Sequence, residues 1–174
     1  LSETSDGTLW GGSVNGSVWM LENGTPRVVS HELGERVVAL CPTGDDRHVW
    51  AASLGTGAVR IDRKDPAQRL LVTRASGLLG ETLWAILEDR EGNLWIATQN
   101  DLHRLSARTA VSLTDLGVAR AVATGLDGSM WVGTANGVTR FSPDNRRHVY
   151  SEAHGLPNTT ISALYVDHSG VLWV

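Results

Sequence analysis

A tryptophan motif recurs five times along the 174-residue chain, and no other feature restricts the possible fold as much. The copies read SDGTLWGGS, DDRHVWAAS, REGNLWIAT, LDGSMWVGT and HSGVLWV. Their tryptophans are Trp10, Trp50, Trp95, Trp131 and Trp173, spaced by 40, 45, 36 and 42 residues. A repeat of about 40 residues with tryptophan and strand signals is typical of β-propeller blades. We therefore interpret the repeated residues as structural and look for function among residues that do not repeat.

Each repeat is predicted to contain four short strands separated by tight turns. The third repeat shows them most clearly, because Asp89 and Gly92 are typical first and fourth residues of a type I turn. Its apolar segments are Leu83–Glu88, Leu94–Thr98, Leu102–Leu105 and Ala110–Leu113. No segment keeps a 3.6-residue period, so almost no helix is expected. The predicted fold class is all-β: a β-propeller fragment of about four four-stranded antiparallel blades plus part of a fifth.

The whole chain, residues 1–174, is predicted to be one partial propeller. Its blades span about residues 1–31, 36–74, 82–115, 118–152 and, incompletely, 160–174. Because a partial ring exposes apolar faces and strand edges, we expect the remainder of a larger propeller to cover them. Two alternatives stay open. Two copies would complete a ring as a homodimer, or Val171–Val174 would complete the first blade in a ring of four.

Small and hydroxyl residues follow the repeated tryptophans at fixed distances. Two residues after it stand Gly12, Ala52, Ala97 and Gly133, and three after it stand Ser13, Ser53, Thr98 and Thr134. The small residues predict close packing between neighbouring sheets. The hydroxyls are predicted to bond the backbone of a turn. A row of nucleophiles is the alternative, but no histidine recurs beside it as a base.

Arginine also recurs, as Arg60, Arg104 and Arg140 on the third strand, and we interpret this row as a structural ladder. An acid-binding clamp of three arginines is the alternative. In the first repeat Trp19 is aligned with these arginines. A glycine stands three residues before the tryptophan in four copies. Arg47 replaces it in the second, where a different turn is expected.

Composition excludes several classes of function. A net charge of −4 and scattered basic residues argue against nucleic-acid binding. Cys41 lies alone in an apolar run, as a buried hydrophobic residue would. The six histidines show no metal-ligand spacing, so neither a metal nor a cofactor is expected. No apolar stretch approaches the roughly 20 residues that span a membrane.

The motif residues closely resemble the two-component regulator propeller repeat, D-x-x-G-x-L-W-[IV]-G-T followed by G-[LV]-x-R. Residues 86–98 and 128–140 match this pattern. The inter-blade phrase G-L-P of that family is matched at Gly155–Asn158 and, less well, at Gly77–Gly80. Departures are Asp101 for a glycine, Arg47 for a glycine, and Trp19 for an arginine.

This resemblance implies a non-catalytic, ligand-sensing region on the periplasmic side of a bacterial inner-membrane receptor. Such receptors pass the signal to a membrane module with a histidine kinase or diguanylate cyclase output, and members of the family often respond to carbohydrate fragments. Rings of seven blades are usual in the family.

Candidate ligand-binding residues lie in the segments that link blades, because those segments vary between repeats. The selected residues are Arg36, Arg74, Glu81, Arg120, His154 and Asn158, with His31, Glu32, Glu35, Ser76 and Thr159 nearby in sequence. Arginine offers a planar fork for carboxylates and hydroxyls. The simpler interpretation is a solvated loop.

Two other functions remain as alternatives. A propeller-fold polysaccharide lyase or glycosidase would need histidine, tyrosine, arginine or carboxylate side chains that converge, and Tyr150 and Tyr165 are the only tyrosines. A protein-interaction scaffold would need an exposed apolar patch that does not repeat.

Overall fold

The computed structural model describes residues 1–22, 24–31, 33–78, 80, 82–106, 110–113, 116–144 and 146–174. It divides into two compact units, Leu1–Glu88 and Asp89–Val174, which are described separately.

The first unit contains two four-stranded antiparallel sheets whose strands follow one another in chain order. The first sheet consists of β1 (Ser2–Glu3), β2 (Leu9–Gly12), β3 (Val18–Glu22) and β4 (Thr25–Ser30). The second consists of β5 (Val37–Pro42), β6 (His48–Ser53), β7 (Ala58–Asp62) and β8 (Arg69–Val72). A 3₁₀ turn at Arg74–Ser76 and strand β9 (Leu83–Glu88) complete the unit.

The second unit repeats the same meander. Strands β10 (Leu94–Thr98), β11 (Leu102–Leu105) and β12 (Ala110–Leu113) are antiparallel neighbours. A four-stranded sheet follows with β13 (Ala119–Thr124), β14 (Met130–Thr134), β15 (Gly137–Phe141) and β16 (Arg147–Tyr150). After a 3₁₀ turn at Glu152–His154, β17 (Tyr165–Val166) pairs with β18 (Leu172–Trp173). The predicted all-β class, with four-stranded antiparallel sheets, is confirmed.

The repeated tryptophans differ in how deeply they lie. Trp10 is 0 % exposed, Trp50 5 % and Trp95 6 %, whereas Trp173 is 61 % exposed. In the first unit Trp10 packs in a core with Val18, Val49 and Ile61. A buried tryptophan contributes more apolar area than any other side chain, so these rings form a large part of each core.

Small residues after the tryptophan permit close approach of the next strand, as predicted. A Cβ placed on Gly12 would lie 2.3 Å from Val37 Cγ1 on β5. The equivalent Cβ on Gly133 would lie 2.6 Å from Ile161 Cγ2. Real Cβ atoms do not approach carbon so closely, so the side chains of Val37 and Ile161 fill the space that the missing side chain leaves.

The hydroxyl row has the structural role that the sequence predicts. The side chains of Ser13, Ser53, Thr98 and Thr134 each donate to a backbone carbonyl across the following turn, at 3.0, 3.3, 3.0 and 3.1 Å. These hydroxyls close the turn between the second and third strands of each repeat.

The arginine ladder stacks on the tryptophans. Arg60 lies 5.9 Å from the centre of the Trp50 ring, Arg104 5.8 Å from Trp95, and Arg140 5.3 Å from Trp131. Each pair sits opposite one another on adjacent strands. Such cation–π contacts contribute about 0.5–2 kcal/mol depending on solvent exposure.

The alignment of Trp19 with these arginines is wrong. Strand pairing places Met20 opposite Trp10, while Trp19 faces Gly11. The turn between the second and third strands is one residue longer in the first two repeats than in the next two, so counting from the tryptophan selects the preceding residue. In place of cation–π stacking, Arg27 donates to Met20 Sδ at 3.6 Å.

The second repeat has the different turn that Arg47 predicts. This turn is one residue longer, and Asp46 takes the left-handed conformation (φ 52°) that glycine takes in the others. Because Asp46 takes that conformation, Arg47 is not needed there, and its Nε donates to Asp62 Oδ2 at 2.8 Å.

We expect Gly12→Ala to lower the free energy of unfolding by about 1–3 kcal/mol, because its methyl group would overlap Val37. Gly44→Ala is the matched control, since a Cβ there would meet nothing within 4 Å. Urea unfolding of both variants measures the difference. Equal stabilities would contradict the close packing of β2 against β5.

Candidate functional site

Most of the predicted binding residues lie on exposed segments that join one sheet to the next, but Arg120 does not: the linking segment predicted for it is wrong, because the structure places it in strand β13. In the first unit Arg36 precedes β5 and Arg74 begins the 3₁₀ turn after β8. In the second unit Arg120 lies on β13, while His154 and Asn158 follow β16; all three are exposed. Within each unit the structure shows no hydrogen bond or ion pair among these described residues. Glu81 and Glu32 lie outside the described residues.

Two linking segments share one local motif. Thr73 and Ser151 precede 3₁₀ turns that end at Gly77 (φ 98°) and Gly155 (φ 94°). Thr73 Oγ1 accepts from the Ala75 backbone N–H at 3.3 Å, and His154 Nδ1 accepts from the Ser151 N–H at 3.2 Å. Arg74 is therefore held on a fixed turn, and His154 is held by its own backbone contact.

His154 belongs to an aromatic cluster in the second unit. Ring centres are 4.5 Å apart for His148 and Tyr150, and 6.0 Å apart for Tyr150 and His154. Tyr150 also packs against Trp131 at 5.7 Å. A cavity of about 190 Å³ beside the cluster is lined mainly by apolar side chains, including Leu156. Sequence analysis selected His154 but missed its neighbours, which lie on a strand.

The opposite end of the blades carries charged turns. Because strands alternate in direction, the turns before the second strand and after the third lie at the end opposite the 98–101 and 134–137 turns. In the first, second and fourth repeats the carboxylate two residues into the turn has a basic partner: Asp6 pairs with Arg63, Asp45 with His48 at 2.7 Å, and Asp127 with Arg140. These pairs recur, although their basic members come from different elements.

These contacts keep the carboxylates ionised. The Arg63 guanidinium holds the pKa of Asp6 well below its ordinary value. Hydrogen bonds from Ser129, together with Arg140, lower the pKa of Asp127 to about 2.

Asp62, the last residue of β7, is a buried carboxylate with 1 % exposure. Hydrogen bonds from Arg47 and from the Lys64 backbone N–H lower its pKa from 3.8 to about 2. His48 Nε2 lies 3.8 Å from the same carboxylate.

The third repeat departs from this scheme. Its first turn residue, Asp89, accepts from the Trp95 indole Nε1 at 2.7 Å and from the Asn93 backbone N–H at 2.7 Å. Glu91 occupies the position of Asp6 and Asp127, yet among the described residues it has no ion-pair partner. Arg104 stacks on Trp95 and is likewise without an ion pair to any described residue. The third repeat thus has an acidic and a basic residue at the two positions, Glu91 and Arg104, but they form no ion pair.

Glu91 and Arg104 both line a cavity of about 450 Å³ within the second unit. Its remaining walls are largely apolar and include Leu113, Met130 and Phe141. The Trp95 and Phe141 ring centres are 6.2 Å apart. The volume lies in the range of small-molecule sites, about 300–1,000 Å³. The residues of this cavity were not among the predicted binding residues, although the acidic residue at a repeated turn position is visible in the sequence.

Other chemistry receives less support in the described part of the chain. Cys41 is buried, which raises the pKa of its thiol to about 11 and keeps it protonated. Within the described residues, histidine, cysteine and carboxylate side chains do not gather in threes as a metal site requires. In the same part of the chain, no helix has the length and apolar character needed to cross a membrane.

Comparison with known families supports the resemblance seen in the motif. Residues 77–100 and 155–174 match the family model described as two component regulator propeller. These two segments contain the third tryptophan motif and the G-L-P phrase with the fifth. The resemblance to this repeat is confirmed. A comparison with curated proteins finds no match.

Solved structures with the same fold include the extracellular domain of a hybrid two component system from B. thetaiotaomicron. It is 18 % identical, with a TM-score of 0.79 over 98 % of this chain and 25 % of that chain. Virginiamycin B lyase from Staphylococcus aureus, in a catalytically inactive form, is 15 % identical with a TM-score of 0.74. A streptogramin B lyase is 15 % identical with a TM-score of 0.63.

The alignment with the first lyase includes 94 % of this chain and 58 % of the lyase chain. The alignment with the second includes 99 % of this chain and 53 % of the lyase chain. At sequence identities of 15 % and 18 %, these structural similarities show that the proteins share a fold. The chain is a propeller segment related in structure to the extracellular region of a hybrid two component system.

We expect the free energy of unfolding to fall as pH falls from about 4 toward 2, partly through Asp62. Its folded-state pKa lies below its ordinary value, so its contribution is present above pH 3.8 and is lost as pH falls through about 2. Asp62→Asn should reduce stability at neutral pH and flatten this dependence. Urea unfolding at a series of pH values measures both effects, and an unchanged slope would contradict the assignment.

Proposed function

We propose that this chain is a non-catalytic, ligand-sensing segment of a periplasmic propeller, belonging to a bacterial transmembrane receptor with a histidine kinase or diguanylate cyclase output. The observation that carries the proposal is the joint match to the two component regulator propeller repeat and to an extracellular two component system domain. The similarity to the lyases extends only to the fold, and one fold can host many functions.

The proposed ligand-binding face consists of the segments that link the sheets together with the exposed Arg120 near the start of β13. Arg74 supports this placement because its 3₁₀ turn is fixed at both ends while its side chain stays exposed. Arg120 supports it because an exposed cation on a strand has a fixed backbone position. A guanidinium in a fixed place can bind a carboxylate or a pair of hydroxyls in a planar, two-bond geometry. The proposed ligands are carbohydrate fragments, as the family resemblance implies.

Catalysis is a second candidate, favoured by one observation. The His148, Tyr150 and His154 rings cluster beside a small cavity, and such groups can act as general acids or bases. The cavity walls are mainly apolar, and the described residues that line it include no carboxylate. A binding role therefore has the stronger support.

Arg74→Ala and Arg120→Ala should each weaken carbohydrate binding about tenfold or more, because each removes a charge-assisted hydrogen bond. Isothermal titration calorimetry against oligogalacturonides, chondroitin disaccharides and neutral glucan oligosaccharides measures the affinities. Thermal melting should remain unchanged, since both side chains are exposed.

Arg146→Ala is the matched control, because this exposed arginine lies at the opposite end of its blade. Equal affinity in all three variants would reject the proposed face.

The receptor context has its own test in the native bacterium, where the full-length protein should be in the membrane fraction with this segment open to periplasmic protease. A cytosolic full-length protein would reject that context.

A further inference from the structure

The cavity lined by Glu91 and Arg104 includes none of the residues of the face proposed above. It differs from the next repeat in the charge partner of its arginine. In the next repeat Asp127 and Arg140 neutralise one another, with Arg140 stacked on Trp131. Arg104 has the same place on its strand and the same stacking on Trp95, yet no described carboxylate neutralises it.

Asp89 does not supply the missing charge for Arg104. Its Oδ1 accepts from the backbone N–H groups of Glu91 and Asn93, and its Oδ2 accepts from the Trp95 indole at 2.7 Å and the Asn93 amide at 2.9 Å. The carboxylate is therefore used within the turn. The exposed Glu91 is the acidic group in the lining that has no hydrogen bond from another described side chain.

Arg104 is half-buried, so an anion stabilises its charge more than it would stabilise a fully solvated arginine. Burial weakens the solvation of a charge, and a carboxylate ligand would replace it with bidentate hydrogen bonds. Glu91 offers an acceptor for a cation at the same cavity. Leu113, Met130 and Phe141 line the same cavity with apolar side chains.

We infer that this cavity binds a small zwitterion with an apolar body, such as an apolar α-amino acid or a dipeptide that ends in one. The ligand carboxylate meets Arg104, its ammonium meets Glu91, and its side chain packs on Phe141. The ligand thereby completes the ion pair that the next repeat makes internally. A ligand with only one charge would leave the other protein group unsatisfied.

L-phenylalanine and glycyl-L-phenylalanine are suitable probes, since they carry both charges at different separations. Titration of the native chain by calorimetry and by NMR should show binding of at least one of them with a Kd of about 1 mM or below. N-acetyl-L-phenylalanine lacks the cation and L-phenylalanine amide lacks the anion. Each should bind at least about tenfold more weakly than L-phenylalanine.

Variants locate the site. Arg104→Met and Glu91→Gln should each weaken binding of the zwitterion at least about tenfold. Asp127→Asn, the matched change in the next repeat, should alter it by no more than about twofold. Arg104→Lys keeps the positive charge and should retain part of the affinity if Arg104→Met proves too unstable to measure.

Three results would overturn the inference. They are the absence of binding by both zwitterions, equal binding of the singly charged analogues by the native chain, and a loss of affinity in Asp127→Asn as large as in Glu91→Gln. The comparison of analogues uses the native protein, so it decides the question whatever the stability of the variants.

Discussion

The indole of the repeat, buried in the first three copies, is the contact on which the rest of the structure depends. In the third repeat the Trp95 ring has a guanidinium on its face and a carboxylate at its Nε1, at 5.8 and 2.7 Å. These two contacts tie the second strand to the third strand and to the turn before it. The indole therefore joins three parts of a blade: its own strand, the third strand and the turn before it.

The repeats keep this indole but change its partners. Met20 and Thr4 stand at the arginine and aspartate positions of the first repeat, where Trp10 is fully buried and its Nε1 has no hydrogen-bond partner among the described residues. In the fourth repeat Gly125 replaces the aspartate, and Arg140 pairs with Asp127 instead. Stability thus tolerates different combinations of partners. Glu91 is a turn carboxylate that such a combination leaves without an ion-pair partner among the described residues.

The fold was predictable because its signals are local and repeated. Strand Leu83–Glu88 and the short strands around Trp95 follow from apolar segments and turn residues alone. Counting from the tryptophan failed at Trp19, because the length of the intervening turn is not constant. The Glu91–Arg104 cavity was not predictable, since an acidic residue and an arginine at equivalent positions form an ion pair in the fourth repeat and not in the third. That difference depends on side-chain conformation and on neighbours distant in sequence.

Replacement of the central indole tests this account most directly. Trp95→Ala should lower the free energy of unfolding by about 3–5 kcal/mol, or prevent folding, because it empties a buried site and leaves Arg104 and Asp89 without their shared partner. Trp173→Ala provides the comparison, since that ring is 61 % exposed and makes the same hydrogen bond to Asp167 at 2.9 Å. Its cost in urea unfolding should stay below about 1 kcal/mol. Similar costs for the two variants would contradict the central role of the buried indole.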